Sequence, residues 1–198
     1  MTRAREDMRI IRSWADRIVG TYLDADDAIR AQGDAWYATE STALRRWADA
    51  HQLPHAAAIG AASAISPGMR WDFVLLHLSA LAQNPKAKVP TYSRAFVDRA
   101  NACLDGADPI DVLSGPKTRA FYRQLMAEGT CPESVVVDGH AFNIARGVVS
   151  PIRNAVSLAV TPRRYRVASA AYRLAGEELG VYPAAVQAST WIYWRKSK

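Results

Sequence analysis

The chain has 198 residues, of which 25 are lysine or arginine and 19 are aspartate or glutamate, so its formal net charge is +6. This length suits one buried domain or two small lobes, and the basic excess favours an anionic partner such as nucleic acid. The 2 cysteines lie far apart and have no metal-ligand spacing, which argues against a disulfide scaffold, a zinc site or an iron–sulfur cluster. We therefore expect neither a metal nor another cofactor.

The N-terminus has no apolar leader, and no apolar run approaches the roughly 18 residues of a membrane span. We therefore expect a cytoplasmic protein without membrane contact.

Apolar periodicity in the first half predicts a series of helices. They are one with Ile11, Trp14, Ile18 and Tyr22 on one face, one with Trp36, Ala43, Leu44 and Trp47, one over Ala56 to Ile65, and one with a stripe from Trp71 to Leu81.

The second half continues in the same way. Its predicted helices cover Tyr92 to Leu104, Ile110 to Leu113, Lys117 to Met126, Gly139 to Val148, a segment with Tyr165 and Leu179, and a last one from Pro183. Asp108 before Pro109 is typical of an N-cap followed by proline at the first helical position. With no repeat and no linker, the sequence predicts an all-α fold of nine or ten helices.

A glycine turn between two of these helices predicts a helix-hairpin-helix motif at about residues 110 to 126. Backbone N–H groups and the helix dipole at the start of the second helix attract phosphate. The predicted DNA contacts are Gly115, Lys117, Thr118 and Arg119, whose cations add charge without reading sequence. An ordinary corner between two helices is the alternative interpretation.

The run Val135 to Val137, too short for a strand, ends at Asp138. This aspartate is predicted to stand at the N-cap of the helix that begins at Gly139. It is also the candidate catalytic carboxylate, because the apolar run would hold a charged acid in a partly apolar place. A simple capping aspartate is again the alternative.

Together, the hairpin and the Val-Asp-x-His segment resemble the helix-hairpin-helix (HhH-GPD) superfamily of DNA glycosylases. The family hairpin reads Leu-x-Gly-x-Gly-x-x-Thr and precedes the catalytic aspartate; Leu113, Gly115, Asp138 and His140 match it. Lys117 occupies the place of the second glycine. The resemblance covers about residues 60 to 148, including a loop after Ile65 like the one with which the family probes the duplex. It implies a single two-lobed helical domain over residues 1–198.

The resemblance also implies roles for further residues. Met69 and Arg70, in the loop after Pro67, would fill the gap that a flipped base leaves in the duplex. The candidate pocket for that base consists of Trp71, His140, Tyr172, Gln187 and Trp191. Each of these side chains also suits an ordinary helical core, and His140 is expected to fix the helix of Asp138 rather than to move protons.

The expected reaction follows from the same alignment. Bifunctional relatives carry a nucleophilic lysine where the ungapped alignment places Arg119, which cannot form a Schiff base. A gapped alignment would put Lys117 there instead. We therefore expect a monomeric, monofunctional glycosylase that Asp138 assists and that leaves an abasic site in double-stranded DNA. Its target would be a modified base, such as the glucosylated hydroxymethylcytosine of phages, in anti-phage defence.

Two other functions stay open. One is the transfer of a group onto activated hydroxymethyluracil, as in phage relatives of this superfamily, with the glycosidic bond left intact. The other is a DNA-binding module without catalysis, in which Asp138 is only a cap. The appearance of abasic sites separates the first from a glycosylase, and full activity of an Asp138 variant would indicate the second.

Overall fold

The computed structural model describes residues 2–91, 93–148 and 161–196. These residues form ten α-helices and one 3-10 turn and contain no strand, so the all-α prediction is confirmed. The helices are α1 (Arg3–Asp24), α2 (Asp27–Ala50), α3 (His55–Ile65), α4 (Val74–Gln83), α5 (Arg94–Leu104), α6 (Pro109–Val112), α7 (Pro116–Met126), α8 (Gly139–Arg146), α9 (Pro162–Leu179) and α10 (Pro183–Lys196).

Three predicted helix boundaries differ from the structure by two residues or more, and four others, at the start of α3, at both ends of α6 and at the start of α7, differ by one. The stripe that starts at Trp71 begins as a 3-10 turn, Trp71–Phe73, because the Trp71 indole packs edge to face on Phe121 instead of joining the buried face of α4. The predicted start at Tyr92 lies outside the described residues, and α5 begins after Ser93, whose hydroxyl accepts the N–H of Ala95. The helix predicted to reach Val148 ends two residues earlier, before a left-handed Gly147.

The described residues divide into two compact units. One combines residues 2–37 with 127–148 and 161–196, and we call it the terminal unit. The other contains residues 38–126 except 92, and we call it the central unit. The hairpin belongs to the central unit and Asp138 to the terminal unit.

The core of the terminal unit is built by α1, α8, α9 and α10. Ile18, Phe142 and Tyr172 are almost completely buried there, and Trp14 meets Phe142 edge to face with ring centroids 5.6 Å apart. Gly33 of α2 lies directly against Ser189 of α10: a Cβ at this glycine would stand 2.1 Å from the serine hydroxyl and 2.5 Å from its backbone nitrogen. Only glycine permits such an approach between two helices.

The central unit is organised around α3. Residues 57–65 of this helix are all buried, and their small side chains let α5 and α7 pack closely on two sides. A Cβ at Gly60 would stand 2.6 Å from the ring of Pro109, the first residue of α6. The first helix of the hairpin therefore rests directly on the buried central helix.

Candidate functional site

Asp138 reaches its position through the extended run before it. Val135, Val136 and Val137 are at most 5 % exposed, so apolar burial anchors the run. Asp138 follows with extended backbone and caps α8: its Oδ1 accepts a hydrogen bond of 2.8 Å from the N–H of Ala141. The side chain is half-buried. Among the described residues, this is the one hydrogen bond that the carboxylate makes.

Two buried tyrosines support the backbone on either side of Asp138. The hydroxyl of Tyr165 donates to the carbonyl of Val135 at 2.6 Å, and that of Tyr172 donates to the carbonyl of Ala141 at 3.2 Å. Burial raises the pKa of Tyr165 to about 12, and the nearby charge of Asp138 contributes to the rise. Burial also raises the pKa of Tyr172, again with a contribution from Asp138. Both tyrosines therefore stay neutral at physiological pH, and both hydroxyl protons are directed at backbone carbonyls.

The last helix presents an aromatic face to the start of α8. The rings of His140 and Trp191 meet edge to face with centroids 6.2 Å apart, and the Arg195 guanidinium lies 4.5 Å from the Trp191 ring centroid. Gln187 precedes Trp191 by one helical turn, so both lie on the same side of α10. Asp138, His140, Gln187 and Trp191 are thus gathered where α8 meets α10.

A tyrosine that sequence reasoning missed completes this cluster. Tyr37 of α2 is 2 % exposed, and its hydroxyl donates to Oε1 of Gln187 at 2.8 Å. Trp36 meets the Tyr37 ring edge to face, with centroids 4.8 Å apart. No local pattern links residues 37 and 187. By contrast, Arg195 could have been found from its spacing of four residues to Trp191.

Two other residues predicted for the base pocket, Tyr172 and Trp71, pack against neighbouring side chains. Tyr172 is completely buried in the core of the terminal unit, so its side chain offers no surface to a ligand. Trp71 belongs to the central unit, where it packs on Phe121 with ring centroids 5.1 Å apart. Burial raises the pKa of Glu40, and the nearby Trp71 indole opposes this rise.

The segment predicted to be a hairpin contains the N-cap and the glycine turn that its sequence predicts. Asp108 caps α6 by accepting the N–H of Ile110 at 2.8 Å, and the turn to α7 contains Gly115 with a φ of +83°. The Nε of Arg119 donates to the carbonyl of Leu113 at 2.8 Å. Part of the Arg119 guanidinium therefore satisfies the C-terminal end of α6, while the residue stays exposed.

Two other hairpin residues point into the central unit. Thr118 is 6 % exposed and donates its hydroxyl to the carbonyl of Ser114. Lys117 is half-buried; its ammonium donates to the Ser66 hydroxyl at 2.9 Å and lies 5.5 Å from the Phe121 ring centroid. This contact joins the hairpin to the loop after α3, so the structure brings together two segments that were predicted to contact DNA.

That loop turns at Gly68, whose φ is +79°. Met69 after it is half-buried, and Arg70 is exposed. The Arg70 guanidinium forms an ion pair of 3.1 Å with Asp72 and lies 5.1 Å from the Phe73 ring centroid. Because both partners of this ion pair are more than two-thirds exposed, the pair is weak enough to open toward another anion.

Across residues 2–91, 93–148 and 161–196, no cluster of three or more histidine, cysteine, aspartate or glutamate side chains could hold a metal ion. In the same residues, no helix has both the length and the apolar character that crossing a membrane requires.

Comparison with known proteins identifies the family but not its activity. The chain belongs to the family DUF7178, a family of unknown function whose model matches residues 1–198. No curated protein and no solved structure matches the chain.

Proposed function

We propose that the protein is a monofunctional DNA glycosylase that removes a modified base from double-stranded DNA. The observation that carries the proposal is the half-buried Asp138 carboxylate, which α8 orients through one oxygen while the other has no hydrogen-bond partner in the described residues. The aromatic face of His140 and Trp191 lies beside it, as stacking of an extruded base would require.

Breaking a glycosidic bond builds positive charge on the sugar. A carboxylate that is held in place before the reaction stabilises such charge without reorganising, which makes preorganised electrostatics an effective form of catalysis. The bond from Ala141 to Asp138 supplies this orientation. In the proposed step, the oxygen of water bonds to the anomeric carbon and its proton passes to Asp138. The base leaves with the electron pair of the broken bond.

The hairpin supports the choice of DNA as substrate. It offers a glycine turn before the 11-residue helix α7, and the positive end of a helix suits a phosphate group. The contact between Lys117 and Ser66 also supports hydrolysis over lyase chemistry, because a lysine that donates to a neighbour is not prepared to attack a sugar. Arg119 stays protonated and cannot replace it.

The test uses the full chain with unmodified duplex DNA and with duplexes that carry glucosylated hydroxymethylcytosine or hydroxymethyluracil. Released base is measured by mass spectrometry, and abasic sites are counted with an aldehyde-reactive probe. We expect base release from at least one modified duplex and none with Asp138→Asn. A mass gain on the modified base with no abasic site would replace the proposal with group transfer. Binding without either product, on every duplex, would replace it with a DNA-binding module.

A further inference from the structure

The hydrogen bond between Tyr37 and Gln187 is buried and joins two distant parts of the sequence. It joins side chains 150 residues apart in sequence, and the two are 2 % and 6 % exposed. Tyr37 is close enough to Asp138 for the aspartate charge to contribute to the rise in its pKa, after burial itself. The bond therefore lies within electrostatic range of the candidate catalytic carboxylate, in the same terminal unit.

The bond decides which end of the Gln187 amide faces Tyr37. A buried phenol keeps its proton and needs an acceptor for it, and the amide oxygen at 2.8 Å is that acceptor. The amide nitrogen must then point the other way. Tyr37 thus converts a group that can donate or accept into one that presents only a donor.

That donor has no partner in the described part of the chain. The hydroxyl of Tyr37 is the one hydrogen-bond partner that the described residues give to the Gln187 side chain, and it occupies the amide oxygen. This nitrogen is not among the buried unpaired atoms of the described residues, so solvent can reach it. A ligand that displaces the solvent must bring an acceptor in its place, because the donor would otherwise lose its hydrogen bond. Gln187 also stands one turn before Trp191, whose ring is a surface on which a base could stack.

We propose that the Gln187 amide N–H reads a carbonyl oxygen on the base to be removed, and that Tyr37 is the positioning residue that makes this amide a donor. The inference rests on the proposed glycosylase function and narrows its substrate. Modified uracils and modified cytosines both carry a carbonyl at C2, so the inference concerns the group at C4. There it favours bases of the uracil type, which carry a carbonyl where cytosine carries an amino group.

The experiment compares two duplexes with the same flanking sequence, one with 5-hydroxymethyluracil opposite adenine and one with 5-hydroxymethylcytosine opposite guanine. Both target bases are therefore paired, and they differ in the group at C4 and in the proton at N3. Affinities are measured in the Asp138→Asn background, so that no base is lost during the titration. We expect the uracil-type duplex to bind about tenfold more tightly or better, the range that one matched hydrogen bond supplies. Equal affinities, or preference for the cytosine-type duplex, would overturn the inference.

Two variants that nearly keep the shape of the side chain test which group produces the preference between the two duplexes. Tyr37→Phe removes the hydroxyl that orients the amide, so the ratio of the two affinities should fall toward one. Gln187→Glu replaces the donor by an acceptor, and the preference should reverse. The matched control is Tyr165→Phe, which removes another buried hydroxyl near Asp138 that donates to a backbone carbonyl and not to Gln187. It should lower the melting temperature and leave the preference unchanged.

The outcomes distinguish a failure of this inference from a failure of the proposed glycosylase function. Base release together with a preference that Tyr37→Phe does not alter would sink the role of Tyr37 and leave the glycosylase intact. The protein could instead release no base from any duplex and still show a preference that both variants change. That result would overturn the glycosylase proposal and support the recognition of the carbonyl by Gln187.

Discussion

Asp138 accepts its hydrogen bond from Ala141 at 2.8 Å, so one side chain both caps α8 and supplies the candidate catalytic group. The two roles can be separated by substitution. Asp138→Asn keeps an oxygen that can cap the helix but loses the charge, so base release should fall by on the order of 10²-fold or more. DNA affinity should stay the same or rise, because a negative charge near phosphates is removed. Single-turnover base release and DNA titration measure the two effects.

Asp138→Ala loses the cap as well as the charge. Its free energy of unfolding should fall by about 1 kcal/mol, while that of Asp138→Asn stays close to the parent value. Urea unfolding of the three proteins gives the comparison. An Asp138→Asn protein that keeps more than about a tenth of the parent rate would leave Asp138 with the capping role alone.

A second prediction concerns the contact between Lys117 and Ser66. If Lys117 also meets a DNA phosphate, Lys117→Ala should weaken binding to all sequences and lower the dependence of log affinity on log salt by about one unit. Ser66→Ala removes the partner hydroxyl and no charge, so its salt dependence should equal that of the parent. Titrations at several salt concentrations provide the slopes, and identical slopes in all three proteins would remove Lys117 from the DNA interface.

A third prediction concerns the product of the reaction. The strand should stay intact after base loss and break only on treatment with alkali or heat, since water is the attacking group. Borohydride should trap no covalent adduct between protein and DNA, because no Schiff base forms. Gel electrophoresis after trapping gives the answer. Efficient trapping that disappears in Lys117→Ala would show a bifunctional enzyme with Lys117 as its nucleophile.

The glycine of the hairpin provides a fourth prediction. Gly115 has a φ of +83°, and a Cβ there would meet nothing within 4 Å, so the cost of Gly115→Ala is one of backbone conformation, about 1 to 2 kcal/mol. Gly20 in α1 has the same open surroundings without the positive φ. Gly20→Ala should therefore stabilise the protein by about 0.5 to 1 kcal/mol. Thermal unfolding of both variants decides the sign, and a Gly115→Ala protein as stable as its parent would contradict the assigned strain.

A fifth prediction concerns alkaline pH. Burial raises the pKa of Tyr165 to about 12 from its ordinary value of 10.0. A group whose pKa is raised by folding contributes stability that is complete below the unfolded value and is lost as pH rises through the folded one. The parent should therefore lose stability between about pH 10 and 12, and Tyr165→Phe should lose less over the same interval. Melting temperatures across this range measure both slopes.

At neutral pH, the same variant tests the bond from Tyr165 to Val135. Tyr165→Phe leaves a buried carbonyl without this donor, at a cost of about 1 to 3 kcal/mol in the free energy of unfolding. Parallel pH slopes in parent and variant would show that Tyr165 does not titrate in this range.

Local signals in the sequence predicted much of the fold. The cap by Asp108, the turn at Gly115 and the cap by Asp138 all follow from rules that act within a few residues. They also predicted which helices exist. Most of the longer helices carry an apolar face, α3 is a run of small residues, and Pro183 marks the start of α10.

Relationships between distant residues were beyond such rules. Tyr37 and Gln187 meet only because α2 packs on α10, and no pattern near either residue encodes that approach. Likewise, Tyr172 has the aromatic character of a pocket residue but is buried in the core, because burial depends on what other helices cover. The sequence of one helix does not tell whether an aromatic residue at helical spacing is buried in the core or lines a binding site.

The close approach of Gly33 to Ser189 has a consequence for any survey of random variants. A methyl group at position 33 would collide with the backbone of α10 near its middle and displace the segment that bears Gln187 and Trp191. The position has no reactive group and lies far in sequence from Asp138. Even so, a deep mutational scan scored on activity should rank Gly33 among the least tolerant positions, and a search for catalytic residues by intolerance alone would be misled by it.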